Sequence, residues 1–169
     1  MIVIEGMDNS GKSTLAVALA EFLGKPWRIQ ESEGPPQSRE EMVDRLRRYD
    51  AMKATIFVRH PAVSNLIYDI VREPDRRGAV TADDAEAFYS RKPFLVYCDP
   101  CDRGLTDHVE KAHDSVEHLQ LIERRYASLL GEYRHWAMYK ADMIYRIGMD
   151  MHPMCFVINY LALGRHARR

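Results

Sequence analysis

The chain predicts an α/β fold: a doubly wound, mostly parallel five-stranded sheet flanked by helices, in one domain spanning residues 1–169. Three observations carry that expectation. A short β-branched run, Met1-Ile2-Val3-Ile4-Glu5, leads straight into Gly6-Met7-Asp8-Asn9-Ser10-Gly11-Lys12-Ser13-Thr14, which matches G-x-x-x-x-G-K-[ST]. Further apolar runs of strand length alternate with stretches of helical character. The connections between them are short, as neighbouring elements of a wound sheet require.

The glycine-bearing loop has a chemical reading of its own. Gly6 and Gly11 let the backbone turn tightly, so that successive N–H groups face one anion. Asn9, Ser10 and Thr14 complete the cradle. Lys12 places an ammonium on the β- and γ-phosphates of ATP, and the Ser13 hydroxyl can ligand Mg²⁺. Leu15 to Leu23 then reads as a helix, closed by Gly24 and contributing its N-terminal partial charge to the loop. Strand, glycine loop and helix form the context that this motif needs.

Composition narrows the class. The length suits one domain with a sizeable core, and the formal net charge of −1 gives no global basic field to hold nucleic acid. Cys98 and Cys101 form a C-x-x-C without a second pair nearby, which argues against zinc. No helix start follows at the motif, which argues against a redox pair, and reduced cytosolic thiols are the expectation. No apolar run reaches membrane-spanning length, so no membrane partner and a cytoplasmic location are expected.

The remaining elements follow in order. Trp27 to Glu31 reads as the second strand, and Ser32 to Ser38 as a loop. Ser38 and Glu41 form a capping box for a helix running to about Met52, with Met42, Val43, Leu46 and Tyr49 on one side. Its arginines, Arg39, Arg45, Arg47 and Arg48, are either a solvated face or partly the lining of an acceptor site. Ala54 to Val58 is the third strand, stopped by Arg59-His60-Pro61. If that strand is parallel to the first, Arg59 and His60 stand where ligands bind in open α/β sheets. Arg59 is then a phosphate ligand or a surface ion pair, and Ser64, Asn65 and Tyr68 can face the same cleft from a short helix.

Residues 73–78 read as a polar loop, and Thr81 caps a helix through Tyr89. Pro93 to Cys98 is the fourth strand. Asp99 after it reads either as a carboxylate that holds Mg²⁺ through water or as an Asp-Pro turn. Residues 101–114, with Arg103 and Lys111, read as a lid over the ATP phosphates or as a plain connection. Ser115 caps a long helix to Lys140. Leu119, Ile122, Tyr126, Leu129, Tyr133 and Trp136 make its core stripe. Residues 142–147 are the fifth strand, and Pro153 starts a last helix.

The motif Gly6-x-Asp8-x-x-Gly11-Lys12-Ser13-Thr14, preceded by Ile4-Glu5, resembles the opening of the thymidylate kinases, within the nucleoside monophosphate kinase group. Val58 to Ser64, continued to Tyr68, resembles that family's Asp-Arg-[Tyr/His] segment with its downstream Ser and Tyr. With Glu33-Gly34-Pro35-Pro36 added, the pattern is similar to small phage-encoded kinases of the group. Some of these act on free deoxynucleotides, and others phosphorylate the hydroxymethyl group of 5-hydroxymethyluracil in phage DNA. The likeness is specific over residues 1–70 and architectural beyond.

The resemblance implies that Lys12 and Ser13 handle ATP and Mg²⁺, that Asp8 meets the acceptor sugar or acts as a carboxylate near the transferred phosphoryl, and that Arg59 clamps the acceptor. Glu33, His60, Ser64 and Tyr68 join the substrate side, and Lys12, Asp8, Arg59 and Arg103 serve the transfer. Two positions depart from the family: Val58 replaces the Asp before the arginine, and the lid offers only Arg103 and Lys111.

The leading expectation is transfer of the γ-phosphate of ATP to a deoxypyrimidine nucleotide. A DNA kinase acting on 5-hydroxymethyluracil in modified duplex DNA is the alternative, and a P-loop NTPase switch is the third reading. A homodimer is left open, and a phage-infected bacterial host is the implied setting.

Overall fold

The computed structural model describes residues 1–69, 71, 78–101, 116–146 and 155, with the side chains of 116–122 set aside. Five strands form one sheet: β1 (Ile2–Gly6), β2 (Arg28–Glu31), β3 (Thr55–Val58), β4 (Phe94–Asp99) and β5 (Met143–Arg146). Their order is β2-β3-β1-β4-β5, and every pairing is parallel. Strand β1 is central and buried along its whole length. That position requires apolar side chains on both faces, which its β-branched run supplies.

Helices α1 (Lys12–Leu23), α2 (Arg39–Asp50), α3 (Pro61–Tyr68), α4 (Ala82–Ser90) and α5 (Val116–Lys140) cover the sheet. Alternation along β1 divides the core in two. Ile2 and Ile4 pack with Leu15, Ala16 and Leu19 of α1. Val3 points the other way, toward Tyr49 of α2, Ala62 and Val63 of α3, Phe88 of α4, and Tyr126, Leu129 and Tyr133 of α5. By the same alternation Glu5 falls on the second face, among helices. The stripe expected on α5 is core at Tyr126, Leu129 and Tyr133, with Trp136 packed beside it.

Local chemistry sets most element ends. Gly24 closes α1 at φ +65 with its N–H donating to Ala20 O at 2.9 Å. Thr81 and Asp84 form a reciprocal capping box on α4. At α2 the expected box is half formed. Ser38 Oγ accepts from Glu41 N at 3.2 Å, but the Glu41 carboxylate reaches past Ser38 to Gln37 N at 2.7 Å. Helix α1 begins at Lys12, three residues before the apolar period starts, because Gly11 in the left-handed region serves as its N-cap.

Parallel pairing of β3 with β1 puts the ends of both strands at the same edge of the sheet, which is where Gly6 and Arg59 lie. No helix among the described residues is long and apolar enough to cross a membrane. The lid expected over 101–114 with Arg103, the loop 73–77 and the helix from Pro153 lie outside the described residues, apart from Cys101 and Cys155.

Candidate active site

The loop after β1 is built from backbone conformations that its sequence permits. Gly6 has φ +147, and a Cβ there would stand 2.4 Å from Cys98 O of the neighbouring strand, so no side chain fits. Asn9 and Gly11 lie in the left-handed region at φ 60 and 83. Ser10 Oγ donates to Met7 O at 2.8 Å and ties the loop to itself. Lys12 Nζ donates to the same Met7 O and lies 3.4 Å from Ser10 Oγ. Burial first, and the Arg59 charge next, lower the Lys12 pKa to about 8, against the pull of Asp8. Ser13 and Thr14 are exposed at the start of α1. They line a cleft of about 440 Å³ together with Asp8, Asn9, Gly11, Lys12, Glu31 and Arg59.

A second cleft of about 280 Å³ adjoins the first. Asp8, Ser32 and Arg59 line both. Its far wall is Glu33, Gly34, Pro35, Arg45 and Tyr49, and its floor comes from α3 through Pro61, Ser64, Asn65 and Tyr68. Polar groups on an apolar frame of this kind suit a small organic ligand.

Arg59 stands at the seam of the two clefts. It sits directly after β3 at φ 65, with its N–H on Ile4 O at 2.9 Å. Its Nη2 donates to Asp8 Oδ1 at 2.5 Å, and Nε and Nη2 lie 3.3 Å from Gly6 O. The guanidinium also rests over the Tyr68 ring at 5.4 Å. One cation therefore touches the phosphate-loop backbone, the Asp8 carboxylate and an aromatic wall of the second cleft.

The other predicted residues divide. Ser64 and Tyr68 line the second cleft as expected from their helix. Glu33 lines it too, held by Arg48 at 2.8 Å, which keeps its carboxyl below the usual range. His60 does not face the cleft. It is fully buried, stacked on Phe88 at 4.4 Å and edge-on to Phe57 and Tyr49. Its Nδ1 accepts from Ala62 N at 3.2 Å and caps α3, while its Nε2 has no hydrogen-bond partner among the described residues. Burial lowers its pKa to about 3, so it is a neutral ring in the core. The reason is positional: one residue past Arg59 the chain turns its side chain to the opposite face.

Asp99 ends β4 with both oxygens engaged. Arg134 of α5 contacts them at 3.1 and 3.3 Å, and Cys101 N donates at 3.0 Å. Among the described residues no three His, Cys, Asp or Glu side chains gather as a metal cluster. A hydrated Mg²⁺ does not need one, since it takes few protein ligands and completes its shell from phosphate and water. The exposed Ser13 hydroxyl fits that role. Cys98 is buried beneath the loop, and burial raises its thiol to about 12, which suits packing and not redox work.

The sequence reading leaves Arg45 one of four candidate arginines and passes over Glu5. Arg45, on the helix face expected to be solvated or acceptor-lining, is buried in the second cleft, donating to Gly34 O at 2.5 Å and Glu41 Oε1 at 2.5 Å. Glu5 is fully buried and takes three donors: His60 N at 2.7 Å, Ser64 Oγ at 3.0–3.1 Å and Tyr133 Oη at 3.3 Å. A carboxylate closing an otherwise apolar central strand was the available signal.

Comparison with solved structures agrees with this architecture. The structure of YorR from Bacillus subtilis in complex with phosphorylated GDP superposes with a TM-score of 0.74 at 18% identity, covering 98% of this chain and 97% of that one. The fold is that of the P-loop kinases. Deoxyadenosine kinase from M. mycoides with dATP gives a TM-score of 0.60 at 15% identity, over 95% and 98% of the two chains. Thymidylate kinase from Candida albicans gives 0.53 at 11% identity, over 98% and 91%. No protein-family model and no curated protein matches the sequence.

Proposed function

We propose that this protein is an ATP-dependent P-loop kinase that transfers the γ-phosphoryl group to a deoxypyrimidine nucleotide. The observation that carries the reading is the meeting of the two clefts at Asp8 and Arg59. ATP bound on residues 6–14 and an acceptor resting on α3 would face each other across that pair. Phosphoryl transfer asks mainly for alignment and charge neutralisation. Lys12 leaves Met7 O for the β- and γ-phosphates, Arg59 neutralises the equatorial oxygens and the acceptor, and Arg103 is the proposed lid cation. Ser13 would hold Mg²⁺, which supplies further neutralisation of the phosphates. Glu33 and Tyr68 bound the acceptor, and Asp8 or Glu33 would take a proton where the acceptor is a hydroxyl.

The pyrimidine base, though not the acceptor's own phosphate, is in line with the M. mycoides deoxyadenosine kinase, one structure of which holds the products dCMP and dCDP. A modified duplex would instead call on unpaired cations along α2. Arg39, Arg45, Arg47 and Arg48 each have a carboxylate partner, namely Asp84, Glu41, Asp44 and Glu33. The free nucleotide is therefore the reading adopted.

The test is transfer of label from γ-³²P-ATP to free deoxynucleoside monophosphates, to unmodified duplex DNA and to duplex containing 5-hydroxymethyluracil. Label on a free pyrimidine monophosphate supports the proposal, and label confined to the modified duplex replaces it with the DNA kinase. Lys12→Ala should abolish transfer while the far-ultraviolet circular dichroism stays unchanged. Full activity in that variant defeats any reading that uses this loop.

A further inference from the structure

Glu5 is a carboxylate at the centre of the molecule, and the phosphate chemistry above leaves it without a role. It lies beneath the acceptor cleft on the helix side of β1 and binds one residue of that cleft directly, Ser64. The donors around it bias which oxygen carries a proton. Oε1 receives the His60 backbone N–H at 2.7 Å, a group that can only donate. That bond favours a proton on Oε2, which lies 3.0 Å from Ser64 Oγ and 3.3 Å from Tyr133 Oη, Oε1 being 3.1 Å from the same Ser64 Oγ.

The two charge states present Ser64 differently to the cleft. With Glu5 ionised, Ser64 and Tyr133 both donate inward, and the Ser64 lone pairs face the cleft. With Glu5 protonated, Oε2 donates to Ser64 Oγ, the nearer oxygen, and the Ser64 proton is turned outward. We propose that Glu5 is a positioning residue for the acceptor: by holding the Ser64 proton, it makes Ser64 Oγ a hydrogen-bond acceptor matched to a hydroxyl or N–H of the substrate.

This rests on the kinase reading for the identity of the second cleft. The groups facing Glu5 are Arg59 after β3, Lys12 of α1, Tyr68 of α3, Tyr89 of α4, Cys98 of β4 and Tyr133 of α5. Burial raises all three tyrosines and Cys98, so they stay protonated near neutrality, while Arg59 and Lys12 favour the Glu5 anion. Burial outweighs them and raises Glu5 to about 7, so the Ser64 hydroxyl changes sense within the working range of pH.

Glu5→Gln tests this, because its amide is a permanent donor at the Oε2 position. At pH 8 its acceptor KM should rise about three- to tenfold, the worth of one hydrogen bond, with the ATP KM little changed. The ratio of the variant's acceptor KM to the wild type's, in which titration of the substrate's own phosphate cancels, should fall toward one as pH drops through 7. Identical pH profiles, or equal loss for ATP and acceptor, overturn the proposal. Should Glu5→Gln fail to fold, the acceptor KM of Ser64→Ala must follow a pH profile different from the wild type's, and superimposable profiles are equally fatal. Absence of transfer by the wild type to every acceptor defeats the kinase reading. Carboxyl ¹³C NMR of glutamate-labelled protein then decides for Glu5: a resonance titrating near pH 7 whose midpoint moves in Ser64→Ala supports the pairing, and an unmoved midpoint refutes it.

Discussion

Replacing Glu5 with glutamine removes a buried charge while keeping the shape of the side chain, so stability can be followed separately from activity. The carboxyl is raised from its ordinary 4.5 to about 7, burial being the largest cause. At about 1.4 kcal/mol per pH unit, ionising it inside the fold costs about 3 kcal/mol. The sign follows from proton counting. Between pH 4.5 and 7 the folded chain keeps a proton that the unfolded chain releases, so this group makes unfolding easier as pH rises. His60 acts the other way: lowered from 6.5 to about 3, it adds stability as pH rises through that lower window.

The His60 contribution is common to wild type and Glu5→Gln, so their difference isolates Glu5. Urea unfolding of both proteins between pH 4.5 and 8 is the assay. The variant should gain about 3 kcal/mol on the wild type across the range, read as a relative midpoint shift of about 1–3 M. A difference that stays constant within about 0.5 kcal/mol would refute the argument, since a carboxyl with the same pKa folded and unfolded binds equal protons in both states.

Arg59→Ala should raise the acceptor KM about tenfold to a hundredfold, the range for hydrogen bonds to a charged group, and leave the ATP KM within about threefold. Equal loss of both would show that the acceptor role of Arg59 is misassigned. Gly6→Ala forces a Cβ to 2.4 Å from Cys98 O at φ +147. It should cost more than about 3 kcal/mol and lower Tm by roughly 6–12 °C in a chain of this size. An unchanged melting curve would contradict that packing. His60→Phe should leave both KM values within about twofold and make the acid loss of stability between pH 6.5 and 3 shallower, because it removes the group that must charge on unfolding. A selective rise in acceptor KM would return His60 to the cleft.

The sequence by itself determined the parts whose physics is local. The phosphate loop is a matter of backbone conformation and one adjacent cation, and Gly6, Gly11 and Lys12 announce it by spacing alone. Strand and helix order follows from apolar runs and periodicity, and Ser38, Thr81 and Gly24 mark ends because caps are satisfied within a few residues. Arg59, Ser64 and Tyr68 could be placed at one cleft because one strand end and one short helix carry all three.

Tertiary structure decided what depends on facing and burial. Arg59 and His60 are neighbours, yet the turn after β3 sends one to the cleft and the other under Phe88. Asp99 has the form of a metal carboxylate, and a residue 35 positions away occupies it. Helical spacing sets Arg45 on the face of Met42 and Tyr49, but only the packing of α2 buries that face with a charge on it while Arg47 and Arg48 stay outside. Glu5 looks like the polar end of a strand and becomes a buried charge only because α3 and α5 close over it with Ser64 and Tyr133. Spacing along a chain encodes conformation and neighbours within a turn or two. The desolvation and distant donors that set a group's charge exist only once the helices are packed on the sheet.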